Sequence, residues 1–230
     1  MMNKDILICG VGGQGTVLAS KIIAASAMAD GNTVHSAETI GMAQRGGPVT
    51  SHVRIGDDAY SPLIPFGKAD VILGFEPSEV VRNLKYLAPD GLAVVNTCAV
   101  KPVTESLAHS GYDGSEMVEY LKKNVRCIFV NGEEECRKLG SVKFLNIFLL
   151  GVAAGAGYKE TSPAGEDLKS FKDAAGSTDT KSGSGLGISK EIILDQIEKR
   201  VPEKFREVNK QAFLMGFDIG AGDENVSVRN

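Results

Sequence analysis

A three-layer α/β/α fold, with helices on both faces of a mixed, mostly parallel sheet containing one antiparallel hairpin, is what this sequence predicts. Three features carry the prediction. Short, β-branched apolar runs alternate with segments of helical period. The first run ends in a glycine-rich turn that opens a helix. Further along, a period-2 segment breaks the alternation and introduces an antiparallel element.

The elements follow in order. Asp5–Cys9 is a short apolar run, read as a buried strand, and it passes into Gly10-Val11-Gly12-Gly13-Gln14-Gly15. From Thr16 the period changes: Val17, Leu18, Ile22, Ile23 and Ala25 recur at helical spacing through Met28, and Gly31 is placed to end the helix. Thr33–Ala37 is the second strand and completes a strand–helix–strand unit. Thr50–Ile55 alternates, Gly56-Asp57-Asp58 turns, and Ala59–Leu63 extends again, which together read as the antiparallel hairpin. Asp70–Gly74 is a buried strand, followed by a helix from Pro77 to about Leu87, a Pro89-Asp90-Gly91 turn and a strand over Leu92–Asn96. Asp113-Gly114-Ser115-Glu116 has the spacing of a capping box and opens a helix to about Lys123; Arg126–Val130 is a further strand.

Phe144–Ala156 is almost continuously apolar, a helix buried on most faces and a packing surface for a neighbour. Tyr158–Gly187 is rich in Ser, Gly, Thr, Asp and Lys and cannot bury enough surface to offset its conformational entropy, so a flexible surface insertion is expected there. Ser189–Lys199 and Glu203–Met215 are two closing amphipathic helices separated by Pro202, and a loose tail is expected over 221–230. The organisation expected is thus one domain over residues 1–220.

Composition removes whole classes of function. The 230 residues carry a net charge of −4, which gives no electrostatic footprint for nucleic acid. No run approaches the ~20 apolar residues of a membrane span. The amino end has no export-type apolar region. The four cysteines (Cys9, Cys98, Cys127, Cys136) form no CxxC pair, so iron–sulfur ligation by this chain is not expected, and a reducing cytoplasm is. No nucleophile elbow, Walker lysine or HExxH motif occurs. His35 and His52 fall in strands and His109 in a loop, none beside a metal-like or triad-like neighbour.

Two segments remain as candidate sites. Gly10-Val11-Gly12-Gly13-Gln14-Gly15 fits G-x-G-x-x-G between a strand and a helix, the Rossmann-like arrangement that lets backbone amides and a helix start approach a phosphate. The same glycines would also serve a tight βα turn with nothing bound. Glu38 follows Gly15 by 23 residues, close to the spacing at which a nicotinamide enzyme places a ribose-binding acid. A stand-alone NAD(P)-binding enzyme is therefore one reading, although no hydride-transfer pair follows downstream. The second segment, Glu38 through Pro48, packs three glycines, a proline and Arg45 between two strands. Arg45, flanked by Gly46 and Gly47, either presents its guanidinium to a phosphate or carboxylate, or pairs with Glu38 or Asp57 to brace the loop.

Gly10–Gly15, Met42-Ala43-Gln44-Arg45-Gly46-Gly47-Pro48 and Ser51-His52-Val53-Arg54-Ile55-Gly56 together resemble the gamma-type domain of the 2-oxoacid:ferredoxin oxidoreductases. Tyr60–Pro65, Gly67-Lys68-Ala69-Asp70 and Asn209–Phe213 add to the match, which covers about residues 4–157 and 188–219. Ile40 stands where members often carry His. The resemblance implies a subunit of a complex that oxidatively decarboxylates a 2-oxoacid, an arylpyruvate such as indolepyruvate or else pyruvate, 2-ketoglutarate or ketoisovalerate. The products are an acyl-CoA and electrons for ferredoxin. It implies a larger alpha subunit holding thiamine diphosphate, magnesium and iron–sulfur clusters. This chain would be inactive alone and would share in coenzyme A binding through Gly10, Gly12, Gly13, Gln14, Gly15, Arg45, Gly46 and Gly47.

Overall fold

The computed structural model describes residues 2–39, 47–100, 111–158, 185–222 and 226–227. Strand β1 (Lys4–Val11) leads through the glycine turn into helix α1 (Thr16–Ala29) and then β2 (Val34–Glu38). There follow β3 (Pro48–Ile55), β4 (Ala69–Gly74), α2 (Pro77–Asn83) and β5 (Leu87–Asn96). Helix α3 (Ser115–Asn124), β6 (Cys127–Val130), α4 (Gly132–Lys138) and α5 (Leu145–Gly155) come next. Helices α6 (Lys190–Arg200) and α7 (Arg206–Ala221) and a two-residue strand β7 (Val226–Ser227) close the chain.

The sheet runs β2-β3-β1-β4-β5-β6-β7. Strands β1, β4, β5 and β6 are mutually parallel, and β3 is antiparallel to both of its neighbours, β1 and β2. The near-continuous apolar character of the parallel strands has a direct cause: helices cover both faces, so alternate side chains enter two different cores. Ile6, Ile8, Val71, Leu73, Val94 and Ile128 point to one core, shared with α1, α4, α5, α6 and α7. Leu7, Cys9, Ile72, Ala93, Val95 and Cys127 point to the other, with Val80 of α2, Leu121 of α3 and Ile64. The expected three-layer α/β/α arrangement with a mixed sheet is what forms.

One contact is unusually close. Helices α5 and α7 meet through Gly151 and Gly155 on one side and Gly216 and Gly220 on the other. A Cβ on Gly151 or Gly155 would collide with the carbonyls of Phe213 or Phe217; one on Gly216 or Gly220 would collide with those of Phe148 or Val152. The helices therefore touch backbone to backbone, a small-xxx-small seam of the kind that lets helices approach without side chains between them. The apolar surface of α5 is thus used within the chain, against α7, and is not left as a face for a neighbour.

Several local expectations are corrected. Ala59–Leu63 is not a strand. The partners of β3 are β1 and β2, because Arg54 Nη1 donates to the Ser61 carbonyl and Ile64 N–H donates to His52 Nδ1, drawing this segment across side chains rather than onto an edge. Pro62 and Pro65, lacking N–H groups, could not have supplied a ladder. The antiparallel share is also larger than one hairpin: β3 pairs antiparallel with β1 as well as β2, and β7 with β6. Pro89-Asp90-Gly91 is no turn between elements but an irregularity inside β5, where the register against β4 shifts between Ala69 and Val71. Helix α2 ends at Asn83 and passes into a 3₁₀ turn over Leu84–Tyr86. Helix α3 starts at Ser115 after Gly114 at φ 80°, so Asp113 accepts from Ser115 N–H and Oγ instead of capping Glu116. Leu186 and Ile188 are buried in the larger core; residues 159–184, on which most of the expected insertion falls, lie outside the described residues. In the tail, Val226 and Ser227 pair with Ile128 and Cys127.

The cysteines divide sharply. Cys9, Cys127 and Cys136 are buried, whereas Cys98 is partly exposed and its thiol donates to Asn131 Oδ1 at 2.9 Å. Burial pushes the Cys127 and Cys136 thiols up to about 12 and that of Cys9 higher still, with Glu79 and Glu76 adding to the effect at Cys9. Two outcomes follow for the folded chain. A thiol reagent at pH 8 labels Cys98 first, and Cys9, Cys127 and Cys136 react only after denaturant is added. Gly216→Val lowers the unfolding free energy by about 1–3 kcal/mol in urea titration because the seam must open, while Gln211→Val on the exposed face of the same helix changes it by no more than ~0.5 kcal/mol.

Candidate functional site

The carboxyl ends of the parallel strands form one rim of the sheet. In open α/β sheets a ligand crevice lies at such a rim, where successive connections leave in opposite directions. Here that point is β1: the chain leaves it toward β2 on one side and later returns to β4 on the other.

The turn after β1 is held by its own side chain. Gln14 Oε1 accepts from Val11 N–H at 2.7 Å, and Gln14 Nε2 donates to the Phe75 carbonyl at 3.1 Å, tying the turn to the end of β4. Gly12 N–H donates to the Gly47 carbonyl at 3.0 Å, which brings the residue before β3 onto the same turn. Gly13 has φ 98° and Gly15 φ 84°, conformations that favour glycine. A Cβ on Gly15 would lie 2.7 Å from Asn146 Nδ2 at the start of α5, and one on Gly10 would lie 2.7 Å from Phe75 Cβ. At Gly13 the space is open. Gly10, Gly12, Gly13, Gln14, Gly15 and Gly47 are therefore brought together; Arg45 and Gly46 lie outside the described residues.

The start of α1 suits a negative charge. It has no side-chain cap and no acidic residue in its first turn. Among the described residues, the amides of Gly13, Gly15, Thr16 and Val17 have no acceptor. Uncapped amides at the positive end of a helix dipole, beside a turn without side chains, form a seat for a phosphate or carboxylate.

Glu38 does not join this site. Strand β3 sits between β1 and β2, so Glu38 is two strand spacings, about 10 Å, from the β1 turn. Its Oε1 accepts from Ser20 Oγ at 2.8 Å on the side of α1. An acid that binds a dinucleotide ribose belongs on the strand next to the glycine turn, so the nicotinamide reading loses its key residue.

The rim also holds groups that sequence reasoning missed. Asn96 Nδ2 donates to the same Phe75 carbonyl that Gln14 uses, and Asn96 Oδ1 accepts from Gly132 N–H at 3.0 Å. Glu76, 1% exposed, accepts from Tyr112 OH at 2.6 Å, from Ser78 Oγ and from Glu79 N–H. Burial, followed by the hydrogen bond to Glu76, pushes the Tyr112 phenol up to about 12. Glu79 is pushed up by burial although Arg82 pulls the other way, and its Oε2 has no partner among the described residues. In sequence Glu76-Pro77 reads only as a helix start, and nothing marks Asn96. His52 is structural: its Nδ1 accepts a backbone proton and burial lowers its pKa, so the ring is neutral. Among the described residues no three His, Cys, Asp or Glu converge on a metal position.

Residues 5–174 match the family model described as pyruvate ferredoxin/flavodoxin oxidoreductase. The chain is 43% identical over 156 residues to indolepyruvate oxidoreductase subunit IorB of Archaeoglobus fulgidus, covering 67% of this chain and 77% of that one. It is 32% identical over 219 residues to the subunit of the same name in Pyrococcus horikoshii, covering 94% and 95%. Among solved structures, the gamma subunit of a keto/oxoacid ferredoxin oxidoreductase from Geobacter sulfurreducens superposes with a TM-score of 0.61 at 24% identity, over 94% of this chain and 98% of that one. A 2-oxoglutarate:ferredoxin oxidoreductase from Magnetococcus marinus, solved with 2-oxoglutarate, coenzyme A and succinyl-CoA bound, gives a TM-score of 0.63 at 16% identity. That match takes in 96% of this chain but only 31% of the longer one. The two structures speak to the fold alone. The chain belongs to the pyruvate ferredoxin/flavodoxin oxidoreductase family, as a gamma-type oxidoreductase subunit of the IorB kind.

Proposed function

We propose that this subunit works in a CoA-dependent indolepyruvate, or more broadly arylpyruvate, ferredoxin oxidoreductase, and that its own contribution is an anion seat for coenzyme A. The observation that carries the reading is the uncapped start of α1 behind the Gly12-Gly13-Gln14-Gly15 turn. That seat fits a phosphate by charge and by the absence of side chains, and Arg45, close in sequence to Gly47, supplies a counter-charge. Coenzyme A, when bound, supplies the thiol that takes up the acyl group. The chain's residues hold its phosphates and orient it; they move no electrons.

The overall reaction converts a 2-oxoacid and coenzyme A to acyl-CoA, carbon dioxide and a proton, and two electrons leave through ferredoxin. Thiamine diphosphate, magnesium and the iron–sulfur clusters are assigned to a larger alpha subunit. For the clusters, the burial of Cys9, Cys127 and Cys136 within the hydrophobic cores supports that assignment. The arylpyruvate preference rests on the IorB relatives, and the site is assigned to a reducing, cytoplasmic complex.

The reconstituted complex tests this directly. With indolepyruvate, coenzyme A and methyl viologen as acceptor, turnover requires both subunits, and the isolated chain gives none. Arg45→Ala raises the KM for coenzyme A about tenfold or more and leaves the KM for the 2-oxoacid unchanged, as expected for loss of a hydrogen bond between charged groups. Gly13→Ala acts in the same direction. Unaltered coenzyme A kinetics and affinity in both folded variants overturn the seat; a faster turnover of pyruvate than of indolepyruvate overturns the arylpyruvate preference.

A further inference from the structure

The two edges of the sheet are finished differently. At one edge β6 is covered by β7 from the chain's own tail. At the other, β2 pairs with β3 on its inner side, and among the described residues no strand pairs with its outer side. The ladder fixes which groups face outward. Thr33 accepts from Gly56 N–H and Thr39 donates to the Thr50 carbonyl, each at 2.9 Å, and the register pairs His35 with Arg54 and Ala37 with His52. In an antiparallel ladder, hydrogen-bonded pairs alternate with non-bonded ones. The residues at 33, 35, 37 and 39 thus turn their amides and carbonyls inward, and Val34, Ser36 and Glu38 turn theirs outward.

Beside this row lies a shallow pocket of about 480 Å³ between β2, α1 and the end of α6, lined by Ser36, Glu38, Lys21, Met28 and Arg200 among others. Its charge is lopsided. Glu38 gives one negative charge, held by the Ser20 hydroxyl, against two positive ones from Lys21 and Arg200, which are exposed and, among the described residues, have no acceptor. Met28 is 64% exposed and forms an apolar wall. Native edges are usually blunted by an outward lysine, a proline or a bulge; Val34-His35-Ser36-Ala37-Glu38 has no lysine or proline.

We infer that β2 is a docking edge, and that its occupant is an extended segment of the larger partner subunit carrying an acidic side chain. The segment adds a strand through the outward amides and carbonyls of Val34, Ser36 and Glu38. Its acidic side chain enters the pocket to pair with Lys21 and Arg200, while a neighbouring apolar side chain rests on Met28. Strand addition supplies affinity through the main chain, and the pocket supplies register. The inference rests on the proposed assembly with a larger subunit.

Hydrogen–deuterium exchange and binding measurements on the reconstituted two-subunit complex test it. On assembly, the Ser36 and Glu38 amides slow by about tenfold or more, while those of His35 and Ala37, already bonded to β3, change little. Ser36→Pro removes an outward donor without touching the β3 ladder and raises the Kd for the larger subunit about tenfold. Lys21→Glu with Arg200→Glu, a surface change that leaves β2 intact, does the same and steepens with falling salt. If the complex forms while both outward amides exchange as in the free chain, and both variants bind as before, the docking edge is wrong and the assembly stands. If no complex forms, the assembly and the docking edge fall together.

Discussion

Backbone contact between α5 and α7 fixes the positions on which the rest of the molecule depends. Helices with ordinary side chains at a crossing sit about 8–10 Å apart and tolerate small slides. Gly151 and Gly155 against Gly216 and Gly220 bring carbonyls of each helix against the other, so neither helix can shift without a clash or a gap. This places the amino end of α5, and Asn146 lies there against Gly15. The glycine turn is thus pressed into shape from beneath by a helix whose own position is set by glycines elsewhere. Sequence to packing to site is a continuous chain here.

The rim of the sheet has a second anchor, the Phe75 carbonyl. It accepts from Gln14 and from Asn96, and Asn96 in turn accepts from Gly132 at the start of α4. Three strand ends and two helix starts are therefore tied through one main-chain oxygen. Buried polar groups tied in this way resist local distortion because breaking one bond strands another group away from water. A preorganised turn loses less entropy when an anion binds, which favours the proposed seat, where main-chain donors act beside Arg45.

Much of this was legible in the sequence. Ile6-Leu7-Ile8-Cys9 followed by glycines and a helical period marks β1, the turn and α1 because period and punctuation are local signals. The apolar runs of β4, β5 and β6 are equally plain, since parallel strands buried on both faces leave no polar alternation. Sheet order was not legible: β3 enters between β1 and β2 through main-chain ladders to both, and no local pattern encodes a neighbour. The seam was missed because Gly151 and Gly155 in an apolar helix read as small filler until their partners on α7 are in view. Asn96 was missed because its partners are main-chain atoms from other elements, and Glu76 because the hydroxyl that reaches it from afar, that of Tyr112, is 36 residues away in sequence.

The insertion of β3 has a consequence for how this scaffold can change. In a dinucleotide-binding sheet, swapping one acid on the second strand retunes the preference between two coenzymes. Here the equivalent strand has been pushed outward by a whole width of sheet, and its acid is fastened to α1. No single substitution restores that geometry. Converting this architecture to nicotinamide chemistry would mean excising a ladder of eight paired residues, so point mutation alone confines the scaffold to ligands that need only the first turn.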